Sequence, residues 1–363
     1  MKKIGIDFSP IEDNPAGIGQ YTLSLFSELF KLDATDKFII YSTKPVTLTF
    51  PDNVINVVIK WPVRFKIKGV RWMRSVAKDC TKKNLNLFIS PSNLLFSLLF
   101  PKTIQFIHDI APISFSSFFN LSTRFSFPVM VGLAMEKAYR IVTLSEQIKQ
   151  ELLNTRKINP DKITVIYPSI NQNILNDPQI FTGFDLNCDY VLSISTLEPR
   201  KNYQGSLKLF ANLIKNPKFA HYKYLIVGKK GWYYDKIFKT VKKLNIEEKV
   251  IFLGYVADEF IADIIKKSKC LLYLSYYEGF GIPPIEALYF NIPVLVNDIP
   301  VFREIYGEFA DYIDCKDIDR NLNKYTTELI EVINEKPKNS KDQIFQKYNN
   351  KNSALKFLNL IQK

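Results

Sequence analysis

Apolar residues gather in short, nearly unbroken runs along the first half of the chain, at KIGIDFS, KFIIYST, NVINVVI, LNLFISP, TIQFIHD, RIVTLS and ITVIYPS. Each run is rich in Ile, Val or Phe, and most are continuously apolar rather than alternating, which predicts strands covered on both sides. Between several of them the apolar period lengthens to that of a helix, as in QYTLSLFSELFKL and EQIKQELLN. The second half repeats the scheme with strands YVLSIST, KYLIVGK, KVIFLGY, KCLLYLS and PVLVND, separated by helical stretches such as YQGSLKLFANLIKN and EFIADIIKKS. Two such series predict an α/β chain of two doubly wound, Rossmann-like domains. Polar and turn residues cluster in 171–187, NQNILNDPQIFTGFDLN, which reads as the linker.

A length of 363 residues with 47% hydrophobic and 14% aromatic content supports two packed cores. The four cysteines, Cys80, Cys188, Cys270 and Cys315, lie far apart and there are only two histidines, which argues against a zinc site or a disulfide framework and fits a reducing cytoplasm. MKKIGIDFS alternates and meets Asp7, so it reads as a strand rather than a signal peptide. The apolar run LLFSLLF is closed by Pro101, too short to span a membrane.

Charge changes the picture in one place. Of the net +13, most of the excess falls in 60–83, where nine positive residues face one negative. An anionic partner suits such a segment. Because Trp61, Phe65, Trp72 and Met73 are interleaved with the cations, Lys60, Trp61, Arg64, Lys66, Lys68, Arg71, Trp72 and Arg74 read as a contact with an anionic membrane surface. An ordinary basic helix face with core aromatics explains the same letters. A nucleic-acid binder would also explain the charge, but offers no reason for the glutamate pair described next.

Ligands of open α/β sheets sit beyond the carboxyl ends of the strands, so the residues that follow each strand carry the candidate chemistry. NPAGIGQYT (14–22) joins the first strand to the first helix; Gly17 and Gly19 can let backbone N–H groups approach an anion, or can mark a mere turn. It is no nicotinamide fingerprint, since the turn is not immediate and the second strand ends in YST without an acid for a ribose. FIHDIAP places His108 and Asp109 just after a strand, where the imidazole can contact a ligand, donate a hydrogen bond, stack on a ring, or simply cap the turn. STLEPRKNYQG puts Arg200, Lys201 and Asn202 at a strand's end, in reach of a phosphate. In YYEGFGIPPIEALYF (276–290), a proline fits the first turn of a helix, and Gly279 to Ile282 form a loop of backbone donors. Glu278 opens that loop, and Glu286 is expected in the first helical turn; paired carboxylate oxygens suit vicinal hydroxyls. Cations for a diphosphate between carboxylates for hydroxyls describe a nucleotide-sugar.

These stretches resemble the retaining glycosyltransferases of family 4, which have the GT-B fold: two Rossmann-like domains facing each other across a cleft. The resemblance covers nearly the whole chain. It rests on the E-x(7)-E stretch YYEGFGIPPIEAL, on STLEPRKN, IHD, VTLSEQIKQEL, VIYPSI, LIVGKKGW and FLGYVADEF, and the Gly17-Ile18-Gly19 wording is similar to mannosyltransferase-like members that build O-antigen and other bacterial polysaccharides. It implies an acceptor-side domain over 1–172, a nucleotide-sugar domain over 185–345, and a C-terminal helix at about 350–363 that can pack back on the first.

The resemblance further implies that Arg200 and Lys201 hold the donor diphosphate, Glu278 contacts the donor sugar, and Glu286 binds the ribose. Phe280, Gly281 and Ile282 would add backbone contacts. Gly17 and Gly19 would lie near the diphosphate and His108 near the transferred sugar, with Asp109, Asn202 and Gly228 also about the donor and Val256 by the base. It implies a hexosyltransferase with no metal or other cofactor, GDP-mannose favoured over UDP-hexoses and deoxy-sugar donors. The acceptor would be a glycan, expected on a polyprenyl diphosphate, and the enzyme peripheral on the inner face of the plasma membrane. DID at 317–319 lies in a polar stretch and makes no convincing metal motif. Asn291 stands where the family has glycine after the helix; asparagine tolerates the left-handed turn needed there.

Overall fold

Burial on both faces is what the unbroken apolar runs demand, and two parallel sheets supply it. The computed structural model describes residues 1–12, 17–60, 68–170, 174–175, 178–335 and 341–362. It divides into two compact units, Met1–Ser169 with Tyr348–Lys363, and Ile170–Lys347.

Unit 1 holds β1 (Lys3–Asp7), β2 (Lys37–Ser42), β3 (Val54–Val58), β4 (Leu87–Ser90), β5 (Thr103–Phe106), β6 (Arg140–Thr143) and β7 (Ile163–Val165), in the order β3-β2-β1-β4-β5-β6-β7. All pairs are parallel; Ile4 of β1 lies opposite Phe38 on one side and Leu87 on the other. The helices are α1 (Ile18–Leu32), α2 (Lys68–Lys82), α3 (Ala111–Ser114), α4 (Leu121–Lys137) and α5 (Glu146–Thr155). Ser145 begins α5 by accepting from the Ile148 N–H at 3.2 Å, a side-chain cap for an otherwise unpaired donor. One face of the sheet is covered by Leu25, Phe26, Leu29 and Phe30 of α1 and by Ala354 and Phe357 of the C-terminal helix Asn350–Gln362, with Phe26 and Phe357 edge to face at 5.5 Å. The other face receives Trp72, Met73, Val76, Ala77 and Cys80 of α2 against Ile39, Tyr41, Phe88 and Phe96.

That packing corrects one expectation. Trp72 is 3% exposed, so it is a core residue and no surface contact. The reason is helical geometry: 72, 73, 76, 77 and 80 form the apolar stripe of α2 and turn inward together. Lys60, Arg71 and Arg74 are exposed; Trp61, Arg64, Lys66 and the Lys68 side chain lie outside the described residues. Among the described residues no helix is long and apolar enough to cross a membrane.

Unit 2 holds β8 (Tyr190–Ile194), β9 (Lys223–Val227), β10 (Val250–Gly254), β11 (Cys270–Tyr273), β12 (Val294–Asn297) and β13 (Asp311–Ile313), in the order β10-β9-β8-β11-β12-β13. Its helices are α6 (Tyr203–Leu213), α7 (Asp235–Lys243), α8 (Asp258–Lys267), α9 (Ile282–Tyr289), α10 (Pro300–Tyr306), α11 (Leu322–Asn334) and α12 (Lys341–Lys347). In both sheets the order of the strands reverses once, between β1 and β4 and between β8 and β11. At such a point the loops after the two strands diverge and leave a crevice at their carboxyl ends.

Candidate active site

The crevice of unit 2 is built from two loops. After β8, Pro199 opens a single tight turn, Pro199–Lys201, and Asn202 ends it in the left-handed conformation at φ +52°. The Asn202 side chain accepts from the Gly205 N–H at 3.1 Å and so starts α6. Asn202 is thereby buried and turned to the helix; it shapes the turn that carries the two cations. After β11, the Tyr276 N–H donates to the Arg200 carbonyl at 2.9 Å, tying the second loop to the first.

Four ionised side chains meet there. Arg200 donates from Nε at 2.9 Å and lies at 2.7 Å through Nη2 to Oε1 of Glu198. Its Nη1 donates to the Tyr277 carbonyl and to Oε2 of Glu278, both at 2.9 Å. Lys201 donates to the other oxygen of Glu278 and stands 5.5 Å over the Tyr273 ring. Burial raises the Glu278 carboxyl, but the charges of Lys201 and Arg200 outweigh it and hold the group down to about 2. Burial pushes the Lys201 ammonium below its ordinary value in spite of Glu278. Glu278 is therefore a permanent hydrogen-bond acceptor and no proton donor at working pH. The sequence reading did not single out Glu198, although its place two residues before Arg200 in a tight turn was a usable signal.

The stretch from 276 to 290 folds as a loop and a short helix. Gly281 sits at φ +96°, and a Cβ there would fall 2.2 Å from the Tyr306 hydroxyl. That hydroxyl donates to the Gly281 carbonyl at 2.8 Å and pins the loop to α10. Ile282 begins α9, with Pro283 and Pro284 in the first turn, where a missing N–H costs nothing. Glu286 is consequently the fifth helical residue, in the second turn, which corrects its expected place; an early start at Ile282 displaces it. It is buried, as is the ring of Phe280. Asn291 adopts φ +56° after the helix, the left-handed turn expected of it.

Two further positions follow β9 and β10. A Cβ on Gly228 would meet the Ser195 carbonyl oxygen at 1.9 Å, so only glycine lets these loops touch. Its N–H donates to the Gly254 carbonyl at 2.7 Å, two residues before buried Val256.

Unit 1 presents a different crevice. Asp7 ends β1 fully buried, accepting from the Ser9 N–H at 3.0 Å, the Ser9 hydroxyl at 2.6 Å and the Asn93 amide. Burial raises its carboxyl to about 6. His108 Nε2 lies 2.5 Å from the Pro91 carbonyl, which fixes the proton on that nitrogen, and the buried Nδ1 has no partner among the described residues. Burial lowers the imidazole, keeping it neutral. Asp109, two residues before the first residue of α3, accepts from the Ala111 N–H at 3.0 Å. Gly17 is exposed at the start of α1 and Gly19 is buried in its first turn; residues 13–16 of the preceding loop lie outside the described residues. Glu12 reaches the residue after β2 and accepts from both the N–H and the hydroxyl of Thr43. Among the described residues no group of three or more His, Cys, Asp or Glu is arranged to hold a metal ion.

Comparison with known proteins gives this geometry relatives. Residues 180–348 match the model for glycosyl transferases group 1. The serotype-specific mannosyltransferase WbdA of Escherichia coli is 28% identical over 222 residues, covering 57% of this chain and 27% of that protein. The O-antigen chain mannosyltransferase RfbU of Salmonella typhimurium is 31% identical over 213 residues, covering 58% and 56%. The chain thus spans between about a quarter and just over half the length of these relatives. The structure of Anabaena HepE in complex with UDP-glucose superposes with a TM-score of 0.75 at 14% identity, over 100% of both chains.

Proposed function

Taking as premise that residues 180–348 are a group 1 glycosyltransferase domain, in a chain of GT-B fold homologous to O-antigen mannosyltransferases, we propose that the protein is a hexosyltransferase of polysaccharide synthesis. It moves mannose from GDP-mannose, with retention and without a metal, to a glycan carried on a polyprenyl diphosphate at the inner face of the plasma membrane. The observation that carries this reading is the Glu198–Arg200–Glu278–Lys201 network at the reversal point of unit 2.

Departure of a nucleoside diphosphate needs positive charge fixed in advance where the leaving oxygen gathers electrons. Arg200 and Lys201 supply it from one rigid turn. The two carboxylates hold these cations in a single geometry, so little reorganisation is left for the moment of reaction. Donor phosphate oxygens then compete with Glu278 for both cations, and the carboxylate oxygens so released accept hydrogen bonds from the sugar hydroxyls. Glu286, buried in α9, serves the ribose hydroxyls, and the segment after β10 at Val256 lies beside the base. Backbone donors from Phe280 to Ile282 add to the diphosphate or the sugar.

A panel of nucleotide sugars tests the reading. GDP-mannose is expected to raise the Tm most and to release GDP when acceptor is present. A larger shift with UDP-glucose moves the donor to the UDP-hexoses, and no shift with any member overturns the assignment.

A further inference from the structure

Helix α4 carries apolar residues on its outside. Leu121, Phe125 and Val129 are 66%, 75% and 61% exposed, and their spacing of four puts them on one face. Leu98 adds a fourth, 44% exposed, from the turn Phe96–Leu98 that α4 contacts. Burial in α4 is confined to Val131, Ala134 and Met135, so its C-terminal half anchors the helix and its N-terminal half stands in solvent. Single exposed apolar residues are commonplace, whereas a continuous stripe marks a partner.

The surroundings specify the partner. Phe96 of that same turn packs with Trp72, Met73 and Val76 of α2, whose outer face carries the exposed Arg71, Arg74, Lys78 and Lys82. The turn Phe96–Leu98 thus touches α4 and packs on the inner side of α2, so both helices flank it in unit 1. Between Asp79 and Glu136 the chain has one carboxylate, Asp109, and it is engaged at the Ala111 N–H. An apolar stripe without carboxylates and a row of cations on the same unit match an interfacial layer with anionic headgroups above acyl chains.

We propose that the N-terminal half of α4, with Leu98, inserts into the interface of an anionic bilayer while the outer face of α2 rests on the headgroups. This rests on the lipid-linked acceptor of the proposed function, and moves the apolar contact from Trp72 to α4. Attraction through α2 is screened by salt; insertion of α4 is not.

Flotation with phosphatidylethanolamine–phosphatidylglycerol vesicles, against pure phosphatidylcholine, tests it. The full chain is expected on the anionic vesicles, and Leu121→Ser with Phe125→Ser is expected to lower partitioning on the order of tenfold per side chain. An unchanged bound fraction overturns the proposal. So does a dimer in sedimentation that the same substitutions dissolve, which would give the stripe to a second copy of the chain. A Phe125→Trp variant reads the insertion independently: its emission, against wild type, shifts to the blue on anionic vesicles, and an unshifted spectrum overturns insertion. The Tm rise with donor is measured on the same variants; its retention while flotation is lost separates this surface from the donor assignment.

Discussion

At the reversal point of unit 1, Asp7 ends β1 under full burial and takes hydrogen bonds from two uncharged residues, Ser9 and Asn93. At that of unit 2, Glu278 follows β11, equally hidden, and takes them from two cations. The topology is the same and so is the burial, yet burial wins over the first carboxyl and raises it, while charge wins over the second and lowers it. Strand order decides where a crevice opens. Three or four side chains decide whether the carboxyl there is held by uncharged donors or set in an ionic cradle.

The largest effect expected from this contrast is on turnover. Lys201→Ala should lower the rate of nucleoside diphosphate release by about 10²–10³-fold, the loss typical of one preorganised donor. Asp7→Asn should leave the rate within a few-fold of wild type. Equal losses in both variants would erase the distinction between the crevices.

Opposite pH dependence is the next expectation, read from urea melts. Glu278 titrates lower folded than unfolded, so its stabilisation is complete above about 4.5 and is lost as pH falls toward about 2. The gap between wild type and Glu278→Gln should widen over that rise, by roughly 3 kcal/mol. Asp7 titrates higher folded than unfolded, so its contribution is complete below about 3.8 and is lost as pH rises through about 6. The gap between wild type and Asp7→Asn should shrink as pH climbs through that window. Slopes of one sign in both variants would break the comparison.

The smallest effect concerns how unit 2 keeps its loop in place. Tyr306→Phe removes the bond to the Gly281 carbonyl and should weaken donor binding by about 1 kcal/mol, seen as a smaller Tm rise with donor at unchanged saturating rate. No change would show that the loop holds its shape without α10.

Much of this was legible in the letters. Twelve strands announced themselves as short apolar runs, most of them rich in Ile, Val, Leu or Phe, because a strand buried on both faces is largely apolar. β13 did not: Asp311–Ile313 offers three residues, of which Ile313 alone is buried. Arg200, Lys201 and Glu278 could be brought together on paper because each follows a strand. Tyr306 could not, since only the packing of α10 beneath the loop brings its hydroxyl to Gly281. The two surface helices of unit 1 show the limit of periodicity. In α2 the stripe through Trp72 and Val76 turns inward, and in α4 the stripe through Leu121 and Phe125 turns outward. A period names a face, and only the neighbours decide which way it looks.

His108 leaves one more consequence. Its single proton is committed to the Pro91 carbonyl, so the other nitrogen is a lone pair in a dry place. Whatever comes within bonding distance of Nδ1 has to bring its own hydrogen. A hydroxyl is admitted on those terms and a bare phosphate or carbonyl oxygen is turned away, a filter set by one proton's address rather than by any charge.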